Sequence, residues 1–394
     1  MQTQQRAATP DTLHRSLVLA LTDPAPGVLT AWLQQHSWRT EDLAWLERQS
    51  LLIYAFYRIQ AEDALHHLPA AVVAQWQTAY YQAATTVAAV DWQLGQIFAR
   101  LHEAKIEFTW VKGGSLAHTI YPSPICRARG DVDLWVESEE WPRAISVLQS
   151  LGYATKDSED RPNALTALVG GEQQLRRPSP RPQLVELQTP LLRGEWARYT
   201  AAIDYAAIWQ RRRSLKFGAQ TIAILSPEDM LIHLCLHQAI NHQFSKPWLR
   251  NLLDVHLLAT SQTVEWLQVV ERAKSWRVTT AIWVMLDLAH RLFATPISPA
   301  VMAELAPAAF KQSLIRLLHL DTLLLSAQEL GYSHRRLLIQ MTLADRWRDD
   351  LYLVGRSLWP EDRWLQARYT PSPHQSLIGL HWLHLKSLLL SARA

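Results

Sequence analysis

The chain has 394 residues, 48% hydrophobic and 19% charged, with 39 Lys and Arg against 36 Asp and Glu for a formal net charge of +3. That balance excludes long disordered spans, and so slight a basic excess gives no ground for nucleic-acid binding, which needs a clustered basic surface. Two cysteines, Cys126 and Cys235, exclude a disulfide framework or a cysteine-based metal site, and no stretch approaches the ~18 uninterrupted apolar residues of a membrane span. The polar start Met1-Gln2-Thr3-Gln4-Gln5 lacks the apolar core of a signal peptide, so the expected location is cytoplasmic, without a membrane partner.

Residues 1–104 read as a helical N-terminal region. The run from Asp11 to Leu21 is amphipathic, and Pro24 and Pro26 interrupt it. Thr40 caps a second run with Leu43, Leu46, Leu51 and Tyr54 at broadly helical spacing. A long helix is predicted from about Ala70 to Ala104, with Trp76, Tyr80, Val87 and Val90 on a stripe that packs against the next region.

Residues 105–225 alternate between strand and turn signals. Ile106 to Val111 is rich in β-branched and aromatic residues and reads as a strand. Gly113 and Gly114 end it, permit positive φ and let backbone approach a ligand; Ser115 then reads as the N-cap of a helix. A strand, a glycine turn and a helix start present backbone N–H groups to an anion, and Lys112 adds positive charge beside them. The alternative is an ordinary strand-to-helix turn with a surface lysine. Farther on, Asp131-Val132-Asp133-Leu134-Trp135-Val136 alternates with period two, which puts Asp131 and Asp133 on one face, roughly 6–7 Å apart at their α-carbons. Side chains so placed can converge on two metal ions about 3.5–4 Å apart, the arrangement of two-metal phosphoryl chemistry. The competing reading is a solvated strand face. Gln183 to Gln188 forms another candidate strand with Glu186 in its middle, after a proline-punctuated basic loop holding Arg176, Arg177 and Arg181 that reads as a solvated turn.

Phe217-Gly218-Ala219 marks a turn between two short strand-like runs. Residues 226–394 then read as helical. Ser226-Pro227-Glu228-Asp229 has a capping residue, proline at the first helical position and acids in the first turn. His233 and His237 stand four apart, but no intervening glutamate or cysteine cluster accompanies them, so packing or substrate contact is favoured over zinc. Arg250 and Asp254 have the spacing of a surface helix pair. Of the 18 tryptophans, Trp248, Trp266, Trp276, Trp283, Trp347, Trp359, Trp364 and Trp382 lie in this region, where packing between helices is the simplest role and an exposed sticky face would suit a protein partner.

The pattern Lys112-Gly113, Leu116-Ala117, Tyr121-Pro122, Arg127 and Gly130-Asp131-Val132-Asp133-Leu134 resembles the bacterial family of uncharacterised nucleotidyltransferases within the DNA polymerase β-like superfamily. The likeness extends to Ser226-Pro227-Glu228-Asp229 and Leu234-Cys235-Leu236-His237, covers the chain to about residue 260, and is specific only between residues 111 and 136. It implies an α+β fold, with a small mixed β-sheet nucleotidyltransferase core flanked by helical N-terminal and C-terminal regions. It also implies that Asp131, Asp133 and a third carboxylate, for which Glu186 stands, carry two Mg²⁺ ions, while Lys112, Gly113, Gly114, Ser115 and Arg127 hold the nucleotide. Where the family usually shows an acid, an apolar residue and a histidine, this chain has Glu186, Leu187 and Gln188. The implied reaction moves a nucleoside monophosphate, for instance from ATP, to an unidentified acceptor (protein, RNA, sugar or small molecule), with pyrophosphate leaving. The alternative is a catalytically silent nucleotide-binding or protein-interaction module on the same scaffold.

Overall fold

A computed structural model of the chain describes residues 10–127, 129–155, 165, 168, 171–178, 183–192, 194–244, 248–261, 264–326, 334–369 and 376–391. The polar first five residues and part of the basic loop, Arg181 included, lie outside the described residues.

The N-terminal apolar periodicities produce helices α1 (Pro10–Thr22), α2 (Val28–Gln35), α3 (Thr40–Arg48), α4 (Leu52–Ala61) and α5 (Ala70–Glu103). Pro24 and Pro26 fall between α1 and α2, where their fixed φ and missing N–H do no damage. Near the end of α5, Leu94, Ile97, Phe98 and Leu101 recur at intervals of three, one and three, the spacing of one helix face, and all are buried. The helix closes with Lys105 in the left-handed region, φ 55°, while Lys105 N–H bonds to the His102 carbonyl and Ile106 N–H to that of Leu101. This paired closure satisfies carbonyls that the helix end would otherwise leave open. It also shortens the first strand: Ile106 finishes the helix instead of starting the sheet, and β1 spans only Thr109–Val111.

Next come α6 (Lys112–Ala117), β2 (Asp131–Trp135), α7 (Trp141–Ser150), β3 (Ala154–Thr155), β4 (Gly171–Arg177), β5 (Gln183–Thr189), α8 (Glu195–Thr200), α9 (Tyr205–Gln210), β6 (Arg213–Phe217) and β7 (Gln220–Ile224). The strands form one mixed sheet of order β3-β4-β5-β2-β1-β7-β6. β2 runs parallel to β5, and β1 parallel to β7; the other neighbours are antiparallel. The predicted turn at Gly218 is a two-residue hairpin connection with Gly218 at φ 57°, a conformation open to glycine at little steric expense.

Beyond the sheet lie α10 (Pro227–Leu236), α11 (Trp248–Ser261), α12 (Trp266–Trp276) and α13 (Thr279–Phe293). Ser226 caps α10 as expected, its hydroxyl oxygen accepting the Asp229 N–H. The chain ends in shorter helices, α14 (Pro299–Leu305), α15 (Ala309–Leu317), α16 (Leu320–Ser326), α17 (His334–Leu343), α18 (Trp347–Leu358) and α19 (Asp362–Tyr369), and in α20 (Leu377–Ser391). Trp276 and Trp283 are buried between helices, as the packing role requires, but Trp347, Trp359 and Trp382 stand more than half exposed in the last helices. Among the described residues no helix is long and apolar enough to cross a membrane.

The fold is α+β, a mixed sheet flanked by helices, and the two faces of the sheet differ. One face carries Trp110, Val132, Leu134, Val136, Val185, Leu187 and Ile222 into a core with the end of α5 and with Ala144 and Leu148 of α7. The other meets a larger core that joins the N-terminal helices to α10–α13 and reaches the sheet at Val111 and Trp135. Between those two apolar contacts the second face is lined with acids and amides.

Candidate active site

The alternation of β2 sends Val132 and Leu134 into the apolar core and puts Asp131 and Asp133 on the opposite face. Register then determines their neighbours. Asp133 lies beside Glu186 of β5 and opposite Val111 at the end of β1; Asp131 lies beside Leu184. Glu186 in turn pairs with Gln174 of β4, and Gln188 with Glu172. The three acids expected from sequence are therefore collected on one face by two adjacent parallel strands. Asp133 and Glu186 are buried, and Asp131 stays open to solvent at the start of its strand.

Lys112 follows directly after β1, and its ammonium enters the acid cluster. Nζ lies 2.5 Å from Asp133 Oδ1 and 3.9 Å from Glu186 Oε2. Gln188 Nε2 donates to the same Asp133 oxygen at 2.7 Å, and Gln174 Nε2 donates to Glu186 Oε1 at 2.8 Å. Gln188, which stands where a histidine was expected, thus orients the central aspartate. Its role and that of Gln174 went unread in the sequence, although period two already placed Gln188 on the face of Glu186.

Negative charge outweighs positive in this cluster. Burial, and then the neighbouring Asp133 charge, push the Glu186 carboxyl up to about 8, against an ordinary 4.5. Protein atoms crowd the Asp131 carboxyl although the residue as a whole is exposed; that enclosure, and then Asp133, raise its pKa as well. Oxygen donors with excess negative charge suit a hard divalent cation such as Mg²⁺. Among the described residues no three acid, histidine or cysteine side chains are gathered tightly enough to hold an ion as they stand. The Lys112 ammonium occupies the interval between Asp133 and Glu186 instead. The residues fit a hard cation in kind and in charge, provided that Lys112 yields its place.

The glycine turn has a different local cause from the one its sequence suggests. Gly113 and Gly114 belong to α6, whose N-cap is Val111, and neither has positive φ; the left-handed residue is Lys112, at φ 57°. The glycines serve close packing. A Cβ on Gly113 would lie 2.8 Å from the Arg127 guanidinium, and one on Gly114 would lie 2.2 Å from Trp110 Nε1. Ser115 is likewise inside the helix and not its cap, donating from Oγ to the Lys112 carbonyl at 3.1 Å. No side chain caps the first turn of α6.

Arg127 departs furthest from expectation. Its Nε and Nη2 each lie 2.8 Å from a different carboxylate oxygen of Asp254 on α11, and the pair is buried. Tyr121 Oη donates to the same Asp254 at 2.6 Å. Burial opposes the Arg127 charge, but Asp254 more than compensates and its pKa is raised. The Nε–Nη2 edge of the guanidinium thereby ties the segment before β2 to the helical region, while the group also packs against Gly113. Asp254, read as half of a surface pair with Arg250, is a buried anchor. Arg250 shares this cluster, and burial, then the Arg127 charge, lower its pKa to about 10. No local pattern could reveal these contacts, since the partners are 127 and 133 residues apart in the chain. Arg129 is ion-paired with Asp91 of α5, and Arg177 lies over the Tyr153 ring, so neither reaches the acids through those contacts.

A cavity of about 280 Å³ opens beside α6, lined by Ser115, Thr119, Arg213, Ser214, Met230 and Leu258 among others. It shares Ser115 with the glycine turn, but none of the three acids lines it.

Residues 39–294 match the family described as uncharacterised nucleotidyltransferase, well over half of the 394 residues. No curated protein matches the chain. Among solved structures, the crystal structure of an antigenic nucleotidyltransferase-like protein from Paracoccidioides brasiliensis is 19% identical, over 56% of this chain and 95% of that one, with a TM-score of 0.32. The matched segment begins at the residue before α3 and ends just past α13, so it contains the whole sheet and excludes α14–α20.

Proposed function

The chain belongs to the uncharacterised nucleotidyltransferase family, and from that premise we propose that the acid-lined face of β2 and β5 transfers a nucleoside monophosphate from a nucleoside triphosphate to an acceptor, releasing pyrophosphate. The observation that carries this reading is the meeting of three carboxylates from two parallel strands with one lysine ammonium on a single sheet face. A structural ion pair would need one acid for one base. Here the acids are in excess, and the carboxyl of Glu186 is displaced toward neutrality, as at sites that handle charge and protons.

Asp131, Asp133 and Glu186 would hold magnesium, one or two ions, which when bound neutralises charge developing on the phosphates. Asp133 is kept in position by Gln188 and Glu186 by Gln174, so the acids are oriented before substrate arrives. Lys112 supplies a positive charge for the triphosphate, and the uncapped first turn of α6 supplies backbone N–H groups from Gly113, Gly114 and Ser115. Glu186, with Oε1 engaged by Gln174, has Oε2 left to meet the ion or to help orient and deprotonate the attacking group. Arg127 acts at one remove, tying the segment before β2 to α11.

The test is to incubate the full chain with each α-labelled nucleoside triphosphate, Mg²⁺ and a cell lysate. The reading expects label to pass into a discrete acceptor with pyrophosphate formed in equal amount. Failure of all four nucleotides to label any acceptor or release pyrophosphate would count against it.

A further inference from the structure

We propose that Lys112 is a built-in counter-ion which holds the place of the divalent cation and gives it up when cation and triphosphate arrive together; this rests on the nucleotidyl-transfer reading of the same site. Three observations converge. The ammonium sits between the two buried acids that share a register, 2.5 Å from Asp133 Oδ1 and 3.9 Å from Glu186 Oε2. Asp133 Oδ1 already accepts from Gln188 as well, so a cation reaches that oxygen only by displacing a donor. Of its two donors, Lys112 is the one on a flexible four-carbon stem, whereas Gln188 is fixed in mid-sheet with its own backbone paired.

The backbone supports the same exchange. Lys112 is held at φ 57°, a region that L residues other than glycine, asparagine and aspartate enter at a cost, and it does so at the junction of β1 and α6 with its side chain buried. The two glycines that follow are packed against Arg127 and Trp110, so the junction itself is rigid and the freedom lies in the lysine stem. A buried ammonium and a divalent cation compete for the same oxygens. Cation alone must therefore expel Lys112 with nowhere favourable to send it, and cation with triphosphate gives the expelled ammonium an anionic partner. Linkage then requires cation and nucleotide to strengthen one another's binding, with Lys112 as the coupling element.

Titration calorimetry of Mg²⁺ into the full chain tests this, with and without α,β-methylene analogues of the nucleoside triphosphates, which cannot be cleaved at the α-position. Wild type is expected to bind Mg²⁺ weakly alone and about tenfold or more tightly with an analogue, whereas Lys112→Met binds Mg²⁺ alone about tenfold more tightly than wild type and gains less from the analogue. A readout on the wild type avoids dependence on that variant's folding. Lysine-selective ¹⁵N NMR should find the Lys112 Nζ resonance unmoved by Mg²⁺ alone and shifted once Mg²⁺ and an analogue are both present. Equal Mg²⁺ affinity in wild type and Lys112→Met, or a Lys112 Nζ resonance that moves under none of these conditions, overturns this inference and leaves the transfer reading standing. Absence of Mg²⁺ binding in both proteins, even with every analogue, overturns both.

Discussion

The two faces of β2 are built on opposite terms. Val132 and Leu134 point into a core closed by α5 and α7, elements near the strand in sequence, and the stripe of α5 shows openly there. Asp131 and Asp133, one residue out of phase, face a surface assembled from β1, β4, β5 and α6, with α11 reaching in from more than a hundred residues away. The first face is satisfied by exclusion of water and needs only apolar volume. The second has its polar groups joined pairwise, amide to acid and ammonium to acid, with acid left over. The difference teaches that the sheet is held together from one side and equipped from the other, so substitutions on the two sides should fail in different ways.

The largest effect on stability should come from the lock that seats the equipped face. Arg127→Ala takes from the buried Asp254 carboxylate its two-point partner, and losing one member of such a pair costs about 3–5 kcal/mol. Chemical denaturation should show this, and Arg127→Lys, which keeps a charge beside Asp254 without the paired geometry, should lose less. If the two variants lose the same amount, the penalty is one of packing and not of a missing charge. Leu134→Ala on the other face removes volume from the core and should cost about 2–5 kcal/mol, with a loss that does not vary between metal-free and Mg²⁺-containing buffer. A loss that Mg²⁺ repairs would mean the two faces are not separable.

The response to pH is the most diagnostic. Glu186 holds its proton more tightly in the fold than its ordinary value near 4.5 would allow, releasing it at about 8. Its contribution to stability is thus complete below about pH 4.5, declines as pH rises, and is gone above about pH 8. In metal-free buffer the melting temperature of wild type should fall between about pH 5 and about pH 9 by more than that of Glu186→Gln, which keeps a neutral side chain throughout. Parallel curves for the two proteins would show that the charge excess assigned to this face is not there.

The sequence made the apolar face legible because its information is local. The stripe of α5, the alternation of β2, the cap at Ser226 and the turn at Gly218 each depend on residues a few positions apart. The adjacency of Asp133 and Glu186 was a conjecture about register, which only strand pairing supplies. The turn at Gly113 and Gly114 was misread in its cause: a glycine pair has the same appearance whether it makes room for a ligand or for the Trp110 and Arg127 side chains, and here it makes room for side chains. Arg127 was assigned to phosphate by its distance from Asp131 in the chain, whereas its partner Asp254 lies 127 residues away on a helix whose own spacing suggested a surface pair. Charge partners of that kind leave no periodic trace.

The central claim is that the acids of β2 perform chemistry on a triphosphate, and pyrophosphate release from nucleoside triphosphate in Mg²⁺ measures it most directly. Asp133→Asn, which retains the shape of the side chain beside Lys112 and Gln188, is expected to melt as a folded protein and to release pyrophosphate on the order of 10³-fold more slowly than wild type, with Asp131→Asn close behind. Pyrophosphate released at the wild-type rate by both variants would contradict the account.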